Sequence, residues 1–531
     1  MSLSGLHFIG SDQIEQNIKS SQNTFNAINP TTGETLEPNF IEGTGLHAQF
    51  AAKLATKAFA KLSLTSSLER AEFLETIAEE IMNLGDELIA RTQLETALPK
   101  ARLEGERGRT CNQLRLFAEV LREGSWVNAI IDTADADRLP LPKPDTRSMN
   151  IAIGPVVVFG ASNFPLAFSV AGGDTASVLA AGCPVIVKAH PAHPGTSELV
   201  ARAILKAIDK CGLPNGTFSL LQGSTHTIGE CLVKEPSIKA VGFTGSLKAG
   251  RALFNIATSR PEPIPFYGEL GSINPVFLLD GGEHFDSQKF ATDYVASLTM
   301  GVGQFCTNPG LLILQESDQL NDNLAQIAQQ IGESLSGTML TKNIQLSLNK
   351  GINRLQQQKG VELLSKNKKS DAFSGINNSI FTVSAKEFVK NSIFQEELFG
   401  PVSLIVICAN QEQVLQVASV LQGQLTATIH TQMDDIEFIR NLTNQLSNIA
   451  GRVLFNSYPT GVEVCRSMVH GGTYPATTDS RSTSVGTQAI YRFTRPVCFQ
   501  DTPQKILPNA LKNNNPLNIY RMIDGQFTNR N

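Results

Sequence analysis

The sequence predicts an α/β fold in which two parallel-sheet domains are joined by bridging β-strands. Residues 47–135 carry apolar side chains at three- and four-residue spacing, which is typical of amphipathic helices. From residue 148 onward short apolar strands alternate with helical segments, as in βαβ units whose parallel sheet is covered on both faces. A second alternating series runs from residue 274 to about residue 460. The 531 residues are sufficient for two or three domains with large cores.

The elements of the first alternating series follow from residue types. Thr196 is a suitable N-cap for a helix that Gly212 ends, and the helix predicted over 165–182 has small residues that allow close packing. The other predicted elements are strands at 148–160, 184–190, 218–223 and 238–245 and a helix at 246–259. A proline-rich connector at 132–146 precedes the series, and a strand-like tail segment lies at 488–499.

Composition and charge exclude several classes of protein. The net charge is −5 and no basic block occurs, so nucleic acid is not an expected partner. The N-terminus lacks a charged region followed by an apolar one, and the longest weakly polar run, 175–187, is too short to span a bilayer. Eight cysteines without C-x-x-C spacing indicate neither a disulfide framework nor a metal site. We therefore expect a cytoplasmic protein with free thiols and no membrane contact.

A glycine-containing turn connects a predicted strand to a predicted helix. In "GFTGSLKAG" the residues Gly245, Ser246 and Gly250 lie at this turn. The unpaired N–H groups of a helix N-terminus suit a phosphate. The full G-x-G-x-x-G pattern is absent, so a plain strand-to-helix connection is the alternative.

A lysine and two histidines follow another predicted strand in "PVIVKAHPAHPG". Lys188 ends the strand, where the mouth of an open sheet favours a ligand, and a solvated lysine is the alternative. His190 and His193 have no third metal ligand nearby, so we expect them to be surface histidines.

Three further residues are candidates for chemistry. Asn163 in "FGASNFPLAF" lies in a strand-to-helix turn, where its amide can donate to an oxyanion or cap the helix. Glu269 in "YGELGSINP" lies between an apolar strand and a glycine, which we expect to raise the pKa of a general base, a salt bridge being the alternative. Cys306 in "GQFCTNPG" is a buried structural thiol, a redox partner or a nucleophile.

Taken together and in this order, the motifs resemble the aldehyde dehydrogenase superfamily. The set comprises the Asn163 turn, the strand-end Lys188, "FTGS", "ELG", "GQ-C" and then "EELFGPV" at 396–402. The resemblance covers roughly residues 25–500. The segments "KAHPAHPGTSELV" and "VEVCRSMVHGGTYPATTDSRSTSVGTQAIYRF" resemble the branch that oxidises α-ketoglutaric semialdehyde (2,5-dioxopentanoate), whose nearest relative is the fatty-aldehyde type of luminous bacteria.

The resemblance implies a covalent mechanism. Cys306 would be the nucleophile that attacks the aldehyde carbon. The Asn163 amide and the Cys306 backbone N–H would hold the oxyanion. Glu269 would activate the water that hydrolyses the resulting thioester to the carboxylic acid.

The resemblance also implies a nicotinamide cofactor, either NADP or NAD. Its expected contacts are Lys188 at the adenosine ribose, Gly245, Ser246 and Gly250 at the pyrophosphate, Glu397 at the nicotinamide ribose and Phe399 near the ring. NAD-specific relatives often have a glutamate where this chain has Pro191, so nothing there repels a 2′-phosphate. We therefore expect NADP to be accepted, with Lys188 and His190 beside its phosphate.

The branch implies a substrate with a carboxylate, which needs a cation in a partly dry tunnel. Family spacing places Arg109, on the helix "EGERGRTCNQLRLFAEV", nearest the tunnel wall, flanked by Phe164 and Ala167. A surface salt bridge from Arg109 to Glu104 or Glu106 is the alternative.

The domain organisation expected from the family has three parts. These are a cofactor-binding domain at 1–140 and 155–271, a catalytic domain at 272–475, and bridging segments at 141–154 and 476–531. Strands at 147–153 and 488–499 are similar to the family's subunit-bridging arms. Because exposed strands need partners, we expect a homodimer or homotetramer.

Two departures from the family pattern affect the substrate side. The common "ELGGK" is replaced by "ELGSI", and the common "PFGG" loop is replaced by "VHGGTYP" at 469–475, which changes the wall of the substrate opening. The alternatives are therefore a broad-specificity or long-chain aldehyde dehydrogenase and a non-catalytic relative with the same fold. A non-catalytic relative would be expected to lack Cys306 or Glu269, and both residues are present.

Overall fold

The computed structural model describes residues 2–14, 23–279, 285–432 and 434–530. The expected domain limits at residues 1 and 531, and Asp280 at the end of a predicted strand, lie outside these ranges. The strands up to residue 271 are β1 (His7–Ile9), β2 (Asp12–Ile14), β3 (Thr24–Ile28), β4 (Thr35–Ile41), β5 (Ile130–Asp132), β6 (Thr146–Ala152), β7 (Val156–Phe159), β8 (Val185–Lys188), β9 (Phe218–Leu221), β10 (Ala240–Thr244) and β11 (Phe266–Glu269). The helices are α1 (Gly45–Leu62), α2 (Ser67–Asn83), α3 (Gly85–Thr96), α4 (Lys100–Glu123), α5 (Gly173–Ala181), α6 (Pro194–Lys210), α7 (Thr227–Lys234) and α8 (Leu247–Ser259).

The remaining elements continue the alternation. The strands are β12 (Val276–Leu278), β13 (Leu311–Gln315), β14 (Gly337–Thr338), β15 (Glu362–Lys366), β16 (Gly375–Ile376), β17 (Ser379–Ser384), β18 (Val402–Cys408), β19 (Gln424–His430), β20 (Ala450–Phe455), β21 (Thr494–Gln500), β22 (Arg521–Ile523) and β23 (Gln526–Thr528). The helices are α9 (Ser287–Thr299), α10 (Leu320–Glu333), α11 (Lys342–Gln356), α12 (Ala385–Phe388), α13 (Gln411–Val420) and α14 (Ile436–Ser447), with 3₁₀ helices at Ser125–Val127, Met300–Gly303, Ser392–Gln395, Thr487–Phe493 and Asn509–Leu511.

The helical region predicted before residue 135 is confirmed as α1 to α4. A capping box begins α2, because Ser66 Oγ accepts from Glu69 N at 3.1 Å and Glu69 Oε2 accepts from Ser66 N at 2.6 Å. The last helix ends at Gly124, whose φ of 82° suits a residue without a side chain. The four helices pack beside the first sheet and place α4 along the candidate site.

The first large sheet is the predicted parallel sheet. Its strand order is β11-β10-β7-β8-β9-β1-β2. Strands β7 to β11 are parallel, and β1 and β2 extend the sheet in antiparallel orientation beyond β9. The parallel strands therefore end at one edge, which carries Phe159, Lys188, Leu221, Thr244 and Glu269. That edge is where an open α/β sheet binds ligands.

Alternating side chains of the first sheet enter two separate cores. One core contains Val156, Val158, Val185 and Val187 together with apolar residues of α2, α4, α5 and α6. The other contains Val157, Ile186, Leu221 and Val241 together with residues of α1, α7 and α8. Each fully buried aliphatic side chain contributes about 1.5–3 kcal/mol, so both faces hold the sheet rigid beneath the site.

The second large sheet supplies the other half of the site. Its strand order is β15-β17-β18-β13-β12-β19-β20, and only β15 is antiparallel to its neighbour. Cys306 precedes β13 and Glu397 precedes the adjacent β18. The starting ends of these strands bring the two residues to the same edge of the sheet. This architecture agrees with the predicted α/β fold with two parallel sheets. The domain limits expected at residues 140, 155, 271 and 475 stay a prediction.

A third sheet of five strands, in the order β21-β6-β5-β22-β23, confirms the two expected arm strands in part. The strand expected at 147–153 is β6, but the tail strand begins only at Thr494. The preceding residues form a 3₁₀ helix because Ala489, Ile490 and Phe493 are fully buried in the first core. Among the described strands β21 pairs only with β6, so its free edge is open, and the expected oligomer stays a prediction.

The helix predicted over 165–182 is shorter than expected. Only α5 is helical, and turns occupy the residues before it. The helix starts later than predicted because Gly172, the residue before α5, packs against the preceding turn. A Cβ at Gly172 would lie 2.5 Å from the Ala167 oxygen. The turns leave Asn163 to Phe168 as a loop beside the site. Within the described residues, no helix is sufficiently long and apolar to span a membrane.

Candidate active site

A left-handed turn delivers Cys306 to the site. Gly301, Val302 and Gly303 have φ values of 56°, 59° and 64°. Gly303 has no room for a side chain, because a Cβ there would lie 2.3 Å from the Gly400 carbonyl carbon. Asn274 then fixes the loop, since its Nδ2 donates to the Cys306 oxygen at 2.8 Å and to the Asn308 oxygen at 2.9 Å.

Glu269 reaches the same place from the first sheet. It is the last residue of the edge strand β11 and is 3% exposed. The tail of the chain crosses this strand end, where Glu269 bridges to Thr477 and Leu270 N donates to the Ala476 oxygen at 2.7 Å. This crossing carries the "VHGGTYP" loop into the site.

His470 of that loop lies between Cys306 and Glu269. Its Nε2 is 3.4 Å from Cys306 Sγ and 2.9 Å from Glu269 Oε1. Ser484 Oγ donates its one hydrogen to Glu269 Oε2 at 2.6 Å and lies 3.1 Å from the His470 backbone oxygen, while His470 N donates to Thr483 Oγ1 at 2.9 Å. Thiol, imidazole and carboxylate are therefore held in one line of contacts.

The pKa values of this cluster follow from burial and charge. Burial raises the pKa of the Cys306 thiol well above its ordinary value, and the charges of Glu269 and Glu397 raise it further. Burial also acts to raise the pKa of Glu269, but the charge and hydrogen bond of His470 and the Ser484 hydroxyl outweigh it. The net pKa of Glu269 is lowered, so the expected increase was wrong. The resting cluster therefore holds a neutral thiol beside a carboxylate.

Asn163 is brought to the cysteine loop as predicted. Its Nδ2 donates to the Gln304 oxygen at 3.0 Å, two residues before Cys306. Arg102 positions the Asn163 backbone, because an Arg102 N–H donates to the Asn163 oxygen at 2.8 Å. The guanidinium of Arg102 also lies 4.9 Å from the Phe164 ring and 4.7 Å from the Phe305 ring. Asn163 thus has a fixed backbone and an amide that can reach a ligand at Cys306, but its oxyanion contact stays a prediction.

Arg109 lies inside the protein beside an apolar wall. One of its terminal nitrogens, Nη2, donates to the Val462 oxygen at 3.2 Å, and its guanidinium lies 5.1 Å from the Phe168 ring. Its other terminal nitrogen, Nη1, is buried without a hydrogen-bond partner. The surface salt bridge considered as its alternative is not formed with either neighbouring glutamate in the described chain, since Glu106 instead accepts from the Leu166 and Ala167 N–H groups. Arg109 therefore has an unused donor available for an anion.

Aromatic contacts connect Arg109 to the cysteine. The Phe168 ring, which contacts Arg109, lies 6.2 Å from the His470 ring. Phe164 packs edge-to-face on Phe168 at 5.3 Å, and Ala167 is 1% exposed in the same apolar cluster. Arg109, Phe164 and Ala167 thus lie in one group of apolar contacts near the thiol, and their role as substrate residues stays a prediction.

Lys188 and the two histidines after it are more buried than predicted. Lys188 Nζ donates to the Gly223 oxygen at 2.7 Å, and burial lowers the pKa of its ammonium to about 8. His193 is fully buried, with Nε2 2.9 Å from the Ala161 oxygen. His190 accepts from Ala192 N at 3.1 Å, and burial lowers its pKa well below the ordinary value. The expectation of surface histidines was wrong for His193, which is fully buried, while His190 is partly exposed and stacks on the His193 ring at 5.6 Å.

The glycine turn separates into an exposed and a packed part. Ser246 is the N-cap of α8, its Oγ accepts from Ala249 N at 3.4 Å, and it is exposed. Gly245 N donates to the Glu269 oxygen at 3.1 Å. At Gly250 a Cβ would lie 2.2 Å from Leu270 Cδ2, so this glycine allows α8 to pack on β11. Ser246 leaves the helix start open to a phosphate, and the cofactor contacts of all three residues stay a prediction.

Glu397 lines a cavity formed by residues between 272 and 404. Its Oε1 accepts one long hydrogen bond of 3.4 Å from Ser272 N, and burial raises its pKa to about 7. Gly271 permits its approach, because a Cβ there would lie 2.7 Å from Glu397 Oε2. Phe399 lines the same cavity, together with Phe305. A buried carboxylate with so few donors suits hydroxyl groups of a ligand.

Sequence reasoning missed His470, Ser484 and Arg102. The signal for His470 was present, since "VHGGTYP" had been recognised as a departure from the family loop. The motif did not reveal the chemical role of His470, because His470 is 201 residues from Glu269 and 164 residues from Cys306 in sequence. Ser484 lies in the family-like tail segment, but nothing in that pattern assigns it chemistry, and Arg102 lies outside every motif.

Comparisons of the sequence identify similar proteins. The sequence model of the aldehyde dehydrogenase family matches residues 17–495. The α-ketoglutaric semialdehyde dehydrogenase 2 of Azospirillum brasilense is 48% identical over 527 residues, which are 99% of this chain and 100% of that protein. The α-ketoglutaric semialdehyde dehydrogenase of Acinetobacter baylyi is 45% identical over 514 residues, 97% of each protein. The resemblance inferred from the motifs is confirmed.

Solved structures have the same fold. Betaine aldehyde dehydrogenase from Staphylococcus aureus, in complex with NAD⁺, has a TM-score of 0.80 and 19% identity, covering 95% of this chain and 96% of that chain. An NADP dependent enzyme of E. coli has a TM-score of 0.79 and 20% identity, covering 93% and 98%. These likenesses confirm the predicted fold class.

Proposed function

This chain belongs to the aldehyde dehydrogenase family, and from that premise we propose that it oxidises 2,5-dioxopentanoate to 2-oxoglutarate with a nicotinamide cofactor. The observation that carries the proposal is the meeting of Cys306 and Glu269 at the end of an apolar path that begins at Arg109. Relatives that are 45% and 48% identical over nearly the whole chain bear the name of this activity. The non-catalytic alternative is disfavoured because nucleophile and base are assembled.

Residues of both large sheets and their helices fit a nicotinamide cofactor. Ser246 offers the open start of α8 to a pyrophosphate, and Lys188 lies at the edge of the same sheet. Glu397 has unused acceptor capacity for ribose hydroxyls, while Phe399 supplies an apolar surface. When bound, the cofactor supplies the hydride acceptor. The chain's own residues hold and orient it.

His470 is the proton acceptor of the nucleophile in this proposal. A thiolate must form at Cys306, although its surroundings hold the pKa of the thiol high. In the resting site the hydrogen on His470 Nε2 is donated to Glu269 Oε1 at 2.9 Å, so His470 acts as a base in its other tautomer, with the hydrogen on Nδ1. Nε2 then takes the thiol proton across 3.4 Å, and the imidazolium donates that hydrogen to Oε1. The same nitrogen thus accepts before the transfer and donates after it.

We expect His470→Phe, which installs the residue common in the family loop, to slow alkylation of Cys306 by iodoacetamide about 10²-fold at pH 7, since an acid–base group is lost. The pH midpoint of alkylation should rise, because the imidazolium no longer stabilises the thiolate. His470→Gln is the matched control: it keeps an N–H for Glu269 but is no base, and it should be as slow. An unchanged pH profile in both variants would remove His470 from this role.

Two further groups serve the later steps. The Asn163 amide and the Cys306 backbone N–H stabilise the oxyanion that forms when the thiolate attacks the aldehyde. After hydride loss the Cys306 thioester remains. Glu269, held at Oε2 by Ser484, takes a proton from the water that hydrolyses it.

The substrate class is tested at Arg109. In Arg109→Met we expect kcat/KM for 2,5-dioxopentanoate to fall roughly 30-fold, about 2 kcal/mol, because the carboxylate loses a buried cation. Pentanal, uncharged and of equal chain length, should change little. Arg107→Met is the matched control, since Arg107 lies on the same helix and donates elsewhere, to the Gly85 oxygen. Equal losses for both aldehydes, or a wild type that prefers long uncharged aldehydes, would favour the long-chain alternative.

Cofactor choice is tested at Pro191. We expect wild-type kcat/KM with NADP to equal or exceed that with NAD, because Pro191 supplies no carboxylate to repel a 2′-phosphate and Lys188, with a pKa of about 8, is mainly charged at pH 7. Pro191→Glu should turn the preference toward NAD. A wild-type preference for NAD of a hundredfold, about 2.7 kcal/mol, would contradict this part of the proposal and leave the oxidation itself intact.

A further inference from the structure

We propose that Cys306, His470 and Glu269 form a zinc-binding site whose occupation reversibly blocks the enzyme. The proposal rests on the proposed function only in naming what is blocked. Sulfur, imidazole nitrogen and carboxylate oxygen are the ligand atoms that zinc prefers in proteins. In this chain one atom of each kind is present, and the three lie within 4.8 Å of one another.

Two of the three distances between ligand atoms are close to those of a tetrahedral site. With Zn–S about 2.3 Å, Zn–N about 2.0 Å and Zn–O about 2.0 Å, ligand atoms lie about 3.3–3.7 Å apart. Here Sγ to Nε2 is 3.4 Å and Nε2 to Oε1 is 2.9 Å. The third pair, Cys306 Sγ and a Glu269 carboxylate oxygen, lies within 4.8 Å, so rotation of these side chains would admit the ion, with the fourth position left for water.

The surrounding hydrogen bonds already orient two of the ligands. Ser484 Oγ holds the second oxygen of Glu269 at 2.6 Å, which leaves Oε1 directed at His470. The backbone of His470 is fixed by Thr483 at 2.9 Å. Such outer contacts normally support a metal site, so the trio is more than a chance proximity of side chains.

Zinc in this position would stop catalysis at its first step. The ion takes the lone pair of Cys306, which loses its thiol proton to solvent, and it occupies the nitrogen and oxygen that serve as bases. Zinc binding depends on the histidine at position 470, because only two ligands would remain with the phenylalanine of the common "PFGG" loop. We therefore expect zinc inhibition when residue 470 is histidine and not when it is phenylalanine.

The test is direct binding of Zn²⁺ and Co²⁺ to the full-length, cofactor-free protein. We expect one Zn²⁺ per chain by calorimetry, and a thiolate-to-metal charge-transfer band in the near ultraviolet when Co²⁺ replaces it. His470→Phe and Cys306→Ala should each weaken Zn²⁺ binding by more than about 100-fold, since a ligand is lost, and Ser484→Ala by about 10–100-fold. Cys498→Ser, at an exposed thiol, is the matched control and should bind like the wild type.

A second measurement links binding to the block. Zn²⁺ should slow iodoacetamide labelling of Cys306, and EDTA should restore the labelling rate. Equal Zn²⁺ affinity in wild type and His470→Phe, absence of the charge-transfer band, or labelling that Zn²⁺ does not slow would each overturn the proposal. None of these readouts uses an aldehyde, so a wrong substrate assignment would leave them unaffected.

Discussion

Cys306→Ala is expected to lower kcat for aldehyde oxidation by at least about 10⁴-fold, because no thioester can form. The His470 and Glu269 contacts with each other do not depend on the sulfur, so the variant should remain folded. NADPH should still bind, since Lys188, Ser246 and Glu397, which are proposed to hold it, are unchanged. The measurements are steady-state turnover, NADPH binding by fluorescence, and mass spectrometry of an acyl-enzyme, which should be absent.

The matched control is Cys231→Ala, which removes a free thiol on α7 in the first sheet's packing layer. It should keep wild-type turnover, which would show that loss of any thiol is not sufficient. A kcat of Cys306→Ala within about tenfold of wild type would contradict the covalent mechanism, since loss of a nucleophile lowers kcat far more than that.

The local motifs allowed most of the fold and half of the site to be predicted. Glu269 ends β11, Asn163 lies in the loop after β7 and Cys306 lies in the loop before β13, so the strand-and-helix pattern indicated where each would appear. Parallel strands then bring the ends of β11, β8 and β10 to one edge, which topology alone implies. This is why residues far apart in sequence could be assigned to one site.

The features of the site that were not predicted depend on contacts between distant parts of the chain, which no local sequence pattern encodes. His470 comes from a stretch without regular structure, and only the crossing of the tail over β11 brings it to the thiol. The pKa of Glu269 was predicted in the wrong direction because burial was considered without the imidazole and hydroxyl that oppose it. The tail strand was predicted to begin near residue 488, but it begins at Thr494. The apolar residues before Thr494 suited a strand but belong to a buried 3₁₀ helix.

Glu269→Gln is expected to slow thioester hydrolysis about 10²–10⁴-fold while sparing thioester formation. The amide keeps the shape and can still contact Ser484 and His470, but it cannot take a proton from water. Rapid mixing should therefore show a burst of one NAD(P)H per active site followed by slow turnover, and mass spectrometry should detect the trapped acyl-enzyme.

The same substitution has a second consequence that distinguishes a base from a structural carboxylate. The charge and hydrogen bond of Glu269 hold the pKa of Cys306 up, so removing that charge should lower the pKa of the thiol. Iodoacetamide labelling should then reach its half-maximal rate at a lower pH than in the wild type, and the burst should be as fast or faster. Ser484→Ala keeps the carboxylate and serves as the control, in which no burst should appear. A Glu269→Gln variant with normal turnover and no trapped acyl-enzyme would show that the carboxylate orients His470 and that another group activates the water.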